Sequence, residues 1–264
     1  MSQLPQIQIL ERPSPNMAPG RRGWKPDIIV CHTTDGHFPG SVNWVMNPAS
    51  QVSYHFMVSQ SGEVFQCVDI KNTAWANGTS NSGTRNDNRH SRLDAVRGRA
   101  VNANLYTVSI GFEGRHVYTR GALSPRQLTA AAALIRHIRA EVFRIWADEI
   151  SLDCDHIVDH MDIAPLWRPN CPGVKFPFDD IILMAQMTCL QSIPAFVPGH
   201  VPDTWAQDAW LWAIESLRMD GTRPRDNITR QEVMTLLHRL YGAFKAMSEN
   251  QSLNCPEEPP CVTV

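Results

Sequence analysis

The chain has 264 residues, 43% of them hydrophobic, and a formal net charge of −2. That composition supports a packed core and excludes a disordered chain. The near-neutral charge excludes a strong basic field directed at nucleic acid or an anionic membrane.

No apolar run reaches the ~20 residues that a membrane span needs, so membrane insertion is not expected. Residues 1–6 lack a charged segment followed by an apolar one, so no secretory signal is read there. Synthesis in a cytoplasm is expected, with another factor releasing the protein to any target outside. Seven cysteines, Cys31, Cys67, Cys154, Cys171, Cys189, Cys255 and Cys261, are odd in number and, apart from the last pair, widely spaced. That pattern fits reduced thiols better than a disulfide framework.

Residues 1–26 are rich in Pro, Gly and Arg without periodicity and read as an arm leading into the first core strand. The apolar run 27–32 fits a buried strand. A short helix is expected over 41–47, with Ser41 as its cap. Residues 53–59 and 63–68, separated by the turn Ser61-Gly62, predict a β-hairpin. The stretch 79–99, full of Asn, Ser, Gly and Arg, reads as a long surface loop. Residues 107–113 predict another strand. Ser124-Pro125-Arg126-Gln127 is a capping box with Pro at the first helical position. The helix it opens should run to about Trp146 and bury Leu128, Ala131, Leu134, Ile135, Ile138, Val142 and Ile145. Residues 157–160 read as a short connection and 178–190 as a helix.

Strands alternating with helices argue for an α/β domain with a mixed central sheet flanked by helices, over residues 1–192. Residues 193–202, with three prolines, read as a linker. A Trp-rich helix over 205–218 and a second, capped by Thr229-Arg230-Gln231-Glu232, make a small helical domain over 203–245. Residues 246–264 read as a flexible tail.

Three separated residues carry the chemistry. His32 ends the first strand, His160 lies in Asp159-His160-Met161-Asp162-Ile163, and Cys171 lies in Arg168-Pro169-Asn170-Cys171-Pro172-Gly173. Two imidazoles and a thiolate form a zinc set that leaves a fourth position open, as catalytic zinc requires. Glu113, at the end of an apolar strand, is the natural general base for hydrolysis. The bland readings are a satisfied core histidine, a buried thiol and a structural salt bridge. His156 competes with His160 as ligand or serves as its partner. His55 should face away from Tyr54 by strand alternation, in a structural role. His37, His90 and His116 read as loop residues.

The first domain resembles the zinc-dependent N-acetylmuramoyl-L-alanine amidases of the peptidoglycan-recognition and phage-lysozyme type. The matching pieces are Ile29-Val30-Cys31-His32-Thr33-Thr34, Ser53-Tyr54-His55-Phe56, Thr73-Ala74-Trp75-Ala76-Asn77-Gly78, Ser109-Ile110-Gly111-Phe112-Glu113, and the His160 and Cys171 segments, in the family's order over about residues 24–185. The arrangement looks most like phage endolysins of Gram-positive hosts, which reach the wall through a holin pore. The resemblance implies one Zn2+ held by His32, His160 and Cys171, Glu113 as general base, Tyr54 beside the reacting water, and Trp75 and Asn77 flanking a peptidoglycan groove. Some members place a lysine two residues before the cysteine ligand; here that position is Pro169, and Arg168 or Lys175 stands in for its charge. Residues 203–245 resemble a single S-layer homology repeat, which implies binding to secondary cell-wall polysaccharide or association into a homodimer.

Three other readings compete with this one. A non-catalytic recognition module is disfavoured by the presence of both Cys171 and Glu113. A cytosolic amidase recycling anhydro-muropeptides would not need the appended helical unit. A Cys31–His32 hydrolase is excluded because neighbours on a strand point to opposite faces.

Overall fold

The computed structural model describes residues 7–186, all within one compact unit, Gln3–Thr188. The expected linker, helical domain and tail, and the end of the helix over 178–190, lie outside the described residues.

A six-stranded mixed sheet organises the unit. Its strands are β1 (Ile9–Glu11), β3 (Ile28–Thr33), β4 (Phe56–Val58), β5 (Val64–Gln66), β7 (Thr107–Phe112) and β8 (Ile157–Asp159), in the order β1-β5-β4-β7-β3-β8. Only the β4–β5 hairpin is antiparallel; β1–β5, β4–β7, β7–β3 and β3–β8 are parallel. β2 (Met17–Ala18) and β6 (Thr73–Ala74) form a separate antiparallel pair. The helices are α1 (Gly40–Met46), α2 (Asp94–Arg99), α3 (His116–Thr119), α4 (Pro125–Trp146), α5 (His160–Ile163) and α6 (Phe178–Gln186). No helix among the described residues is long and apolar enough to cross a membrane.

Alternation along β3 splits the core in two. Ile29 and Cys31 face α4, where they pack with Leu134, Ile135, Ile138 and Val142. Ile28 and Val30 face the other layer, with Val96 of α2, Tyr106 and Ile163 of α5. His32 follows Val30 on that second face by strand alternation, so Cys31 and His32 diverge as expected. The α4 capping box forms as read, with Ser124 Oγ accepting from Gln127 N–H and Gln127 Oε1 accepting from Ser124 N–H.

Several expectations are corrected. Residues 79–99 are not a plain surface loop: α2 and a 3-10 turn at Asn88–His90 lie within them, and Thr79, Asp87, Asn88 and Ser91 are buried. Side-chain hydrogen bonds replace the missing apolar periodicity. The arm over 1–26 contributes β1, because Ile9 pairs with Val64 at the sheet edge. Residues 157–160 form strand β8 and the start of α5 rather than a connection. His116 opens α3, and His90 lies in the 3-10 turn. Helix α1 begins at Gly40 after Pro39 with no side-chain cap, and Ser41 Oγ instead donates to the His37 carbonyl at 3.4 Å.

Candidate metal centre and its surroundings

The site stands where three parallel strands end. His32 is the fifth residue of β3, Glu113 directly follows β7, and His160 directly follows β8. Carboxyl ends of parallel strands are the usual ligand position in open α/β sheets, because connections diverge there and leave a crevice. Register sets the spacing: His32 pairs with Gly111 on β7, and Cys31 pairs with Asp159 on β8.

His32 Nδ1 and His160 Nδ1 are 3.0 Å apart, and Cys171 Sγ is 3.9 Å from His32 Nδ1. The three ligand atoms all lie within 4.8 Å of one another. Both imidazoles are almost fully buried, His32 at 1% exposure and His160 at 3%. Burial pushes His32 well below its ordinary pKa, helped by the neighbouring His160. Burial likewise lowers His160 to about 4. Both rings are therefore neutral at pH 7.

The tautomer of His160 follows from its neighbour. Nε2 lies 3.3 Å from the Asn77 carbonyl, which accepts its hydrogen and leaves the Nδ1 lone pair directed at His32. A proton shared by the two Nδ1 atoms would serve the histidines but not the thiol, and His32 Nε2 is itself buried with no hydrogen-bond partner among the described residues. One divalent cation satisfies both nitrogens and the sulfur together, and neutral imidazoles with a thiolate suit zinc. The donor set thus fits the ion. Burial pushes the Cys171 thiol up to about 12, against a hydrogen bond from the Thr33 backbone that favours the thiolate. A coordinated cation would deprotonate it.

Loop contacts aim the sulfur. Thr33 Oγ1 donates to the Pro172 carbonyl at 2.7 Å, and Met161 N–H donates to the Cys171 carbonyl at 3.0 Å. Gly173 adopts φ +127°, and a Cβ there would lie 2.3 Å from the Arg120 carbonyl oxygen. The segment holding Cys171 therefore packs directly on the chain leaving α3.

The Tyr54 ring lies 5.1 Å from the His32 ring, centroid to centroid. Burial raises its phenol well above the ordinary value, so it stays a hydrogen-bond donor. Glu113 Oε1 accepts from Phe38 N–H at 3.0 Å, and Oε2 accepts from Gln60 N–H at 2.8 Å. By alternation Glu113 shares the face of Gly111, the residue against which Tyr54 packs.

The expected flanking residues divide. Trp75 is 37% exposed and open to a ligand. Asn77 does not present its side chain there: it is 1% exposed, and Nδ2 donates inward to Thr107 Oγ1 at 2.8 Å. Its contribution is the carbonyl that orients His160. Arg168 is exposed above the Trp167 ring at 5.3 Å. Its positive charge reaches His32, Tyr54, His160 and Cys171 alike. Lys175 is exposed, and its backbone N–H donates to the Arg120 carbonyl. His156 is not a partner of His160, because its Nδ1 pairs with Asp153 Oδ1 at 2.6 Å. His55 is buried and structural, with Nδ1 accepting from Ser109 N–H at 3.0 Å.

Sequence reasoning missed two members of this region. Thr33 braces the Cys171 loop, and its only signal was adjacency to His32. His37, read as a loop residue, lies 3.5 Å from Glu113 Oε1.

A family model described as N-acetylmuramoyl-L-alanine amidase matches residues 22–174. N-acetylmuramoyl-L-alanine amidase A of Achromobacter lyticus is 29% identical over 113 residues, covering 42% of this chain and 50% of that protein. The chain thus spans about half the length of that curated relative. Among solved structures, the selenomethionine derivative of AmpD matches with a TM-score of 0.45 and 21% identity, over 69% of this chain and 96% of that one. N-acetylmuramoyl-L-alanine amidase LysC from Clostridium intestinale matches with 0.44 and 20%, over 67% and 95%. A mutant of PlyL matches with 0.47 and 15%, over 68% and 98%.

Proposed function

This chain belongs to the N-acetylmuramoyl-L-alanine amidase family, and we propose on that footing that it hydrolyses the amide between the lactyl group of N-acetylmuramic acid and L-alanine in peptidoglycan. The observation that carries this reading is the convergence of His32 Nδ1, His160 Nδ1 and Cys171 Sγ at the strand ends that also present Glu113.

Zinc held by these three residues would supply the positive charge that polarises an amide carbonyl and acidifies water. The remaining work falls to the chain. Glu113, with both oxygens anchored by backbone N–H groups, takes a proton from the attacking water. It delivers that proton to the amide nitrogen as the C–N bond breaks, leaving a carboxylate and the L-alanine amine. Tyr54, held protonated by burial, donates to the carbonyl oxygen as negative charge develops there. Arg168 supplies a positive charge over the same site, the role that Lys175 would otherwise fill. Trp75 offers an apolar wall to the glycan or stem peptide.

The finer reading is an endolysin of phage type that lyses Gram-positive walls after release from the cytoplasm. Residues 203–245 would bind wall polysaccharide or join two copies, a reading supported by their sequence.

The test is release of new L-alanine amino termini from purified Gram-positive peptidoglycan, with zinc per chain measured in parallel. New L-alanine termini with one zinc per chain support the reading. New reducing sugars would replace it with a glycosidase, and wall binding without release would leave a recognition module.

A further inference from the structure

Glu113 is reached by a second side chain that the reaction as described does not use. His37 Nδ1 lies 3.5 Å from Glu113 Oε1, the oxygen that also accepts from Phe38 N–H. The two side chains differ sharply in access, 61% exposed for His37 and 11% for Glu113. Glu113 is thus enclosed on the protein side, with an imidazole at its solvent edge.

The contact is held from both flanks. Gly114 N–H donates to the Gly36 carbonyl at 3.2 Å, so the backbones on either side of His37 and Glu113 are joined. Asp35 Oδ1 accepts from His116 N–H at 3.1 Å, tying the same segment to α3. Ser41 N–H donates to the His37 carbonyl at 3.0 Å, which fixes the segment to α1. A Cβ on Gly36 would meet Ser41 Oγ at 2.6 Å, so a larger residue there would turn that hydroxyl aside. Glu113, from the end of β7, is the ionisable side chain in contact with the imidazole; Asp35, on the same segment as His37, has its carboxylate on the His116 backbone N–H.

We propose that His37 is a positioning residue for Glu113, setting the orientation and basicity of its carboxylate; this rests on the amidase reading of Glu113. A protonated imidazole at 3.5 Å adds a positive charge beside a carboxylate already holding two backbone N–H groups. That arrangement favours the anion and weakens it as a base. A neutral imidazole relaxes the hold and leaves Glu113 the stronger base. Histidine rather than lysine at position 37 therefore makes the activity of Glu113 sensitive to pH.

Two measurements on the full chain test this. In the first, the Glu113 carboxyl carbon is followed by NMR through a pH titration of wild type and His37→Ala. The wild-type curve should show a second inflection from the imidazole, absent in the variant; identical curves overturn the proposal whatever the enzyme's activity. In the second, kcat and KM for release of L-alanine termini are measured against pH. His37→Ala should lose one ionisation from the kcat profile and keep across it the kcat of the neutral-imidazole form, with KM and zinc content unchanged. His37→Gln, which keeps a donor but cannot titrate, should likewise lack that ionisation. A His37→Ala profile matching wild type overturns the proposal. Inactive wild type would overturn the amidase reading alone, since the carboxyl titration decides the His37 contact independently.

Discussion

Gly111 and Tyr54 are in direct contact across β7 and the segment before β4: a Cβ at Gly111 would lie 2.8 Å from Tyr54 Cδ2 and 2.9 Å from Cε2. The absence of a side chain at Gly111 is what lets the Tyr54 ring lie beside His32, the residue that pairs with Gly111 in register. Gly111→Ala should push the ring off its position, cost about 1–3 kcal/mol through overpacking, and lower kcat. Tyr54→Phe keeps the packing and removes only the hydroxyl. It should lower kcat by about 10²-fold, the order seen for loss of one oxyanion donor, with little change in stability. Thermal melts beside kinetics of the two variants separate these effects, and equal melts for both would refute the packing argument.

Zinc loading and proton transfer should separate cleanly. Cys171→Ser replaces a soft ligand with a hydroxyl and should lose both bound zinc and activity. Glu113→Gln should retain one zinc per chain while activity falls by about 10²- to 10⁴-fold, the usual worth of a general base. Elemental analysis and an amine-release assay on the same preparations check both. A Glu113→Gln enzyme with near wild-type turnover would remove Glu113 from the chemistry.

Arg168 and Lys175 are distinguished by where their charge acts. The Arg168 charge reaches His32, Tyr54, His160 and Cys171, whereas Lys175 is an exposed residue on the chain beyond Cys171. Arg168→Ala should therefore reduce kcat by about tenfold or more, and Lys175→Ala should leave it unchanged. Steady-state kinetics of the pair decide it, with the reverse ranking assigning the role to Lys175.

Gly173 has no room for a side chain. Its φ of +127° and the 2.3 Å approach of a Cβ to the Arg120 carbonyl oxygen leave no room for a methyl group. Gly173→Ala should displace the loop, weakening zinc binding far more than it lowers the melting temperature of the zinc-free protein. A zinc titration with a competing chelator reads the first quantity and calorimetry the second.

His55 gives the fold a pH dependence of its own. Burial and the nearby Arg21 guanidinium, whose Nη2 lies 2.9 Å from His55 Nε2, hold its pKa well below the ordinary value. The unfolded chain binds a proton as pH falls through about 6.5, while folded His55 stays neutral. Its contribution to stability is therefore full above that pH and is lost progressively below it. His55→Gln should be less stable at pH 7.5, but its stability should fall less between pH 7 and pH 5. Denaturant unfolding at the two pH values measures the slope, and parallel slopes would refute the assignment.

Local signals in the sequence determined a good part of this molecule. The capping box and apolar stripe of α4 lie within a few turns of one another, so Pro125–Trp146 was legible at both ends. The apolar strand ending in His32 and the one ending just before Glu113 were legible for the same reason, since alternation and short motifs are properties of adjacent residues. Short motifs also named His32, His160 and Cys171 as ligand types. Tertiary structure alone decided which atoms meet. Strand register brought the two Nδ1 atoms to 3.0 Å, turned the Asn77 side chain inward and left its carbonyl to orient His160. It also carried His37, from a segment with no periodic signal, against a glutamate far along the chain. Such contacts depend on parallel pairings between distant segments, and no spacing within either segment encodes them.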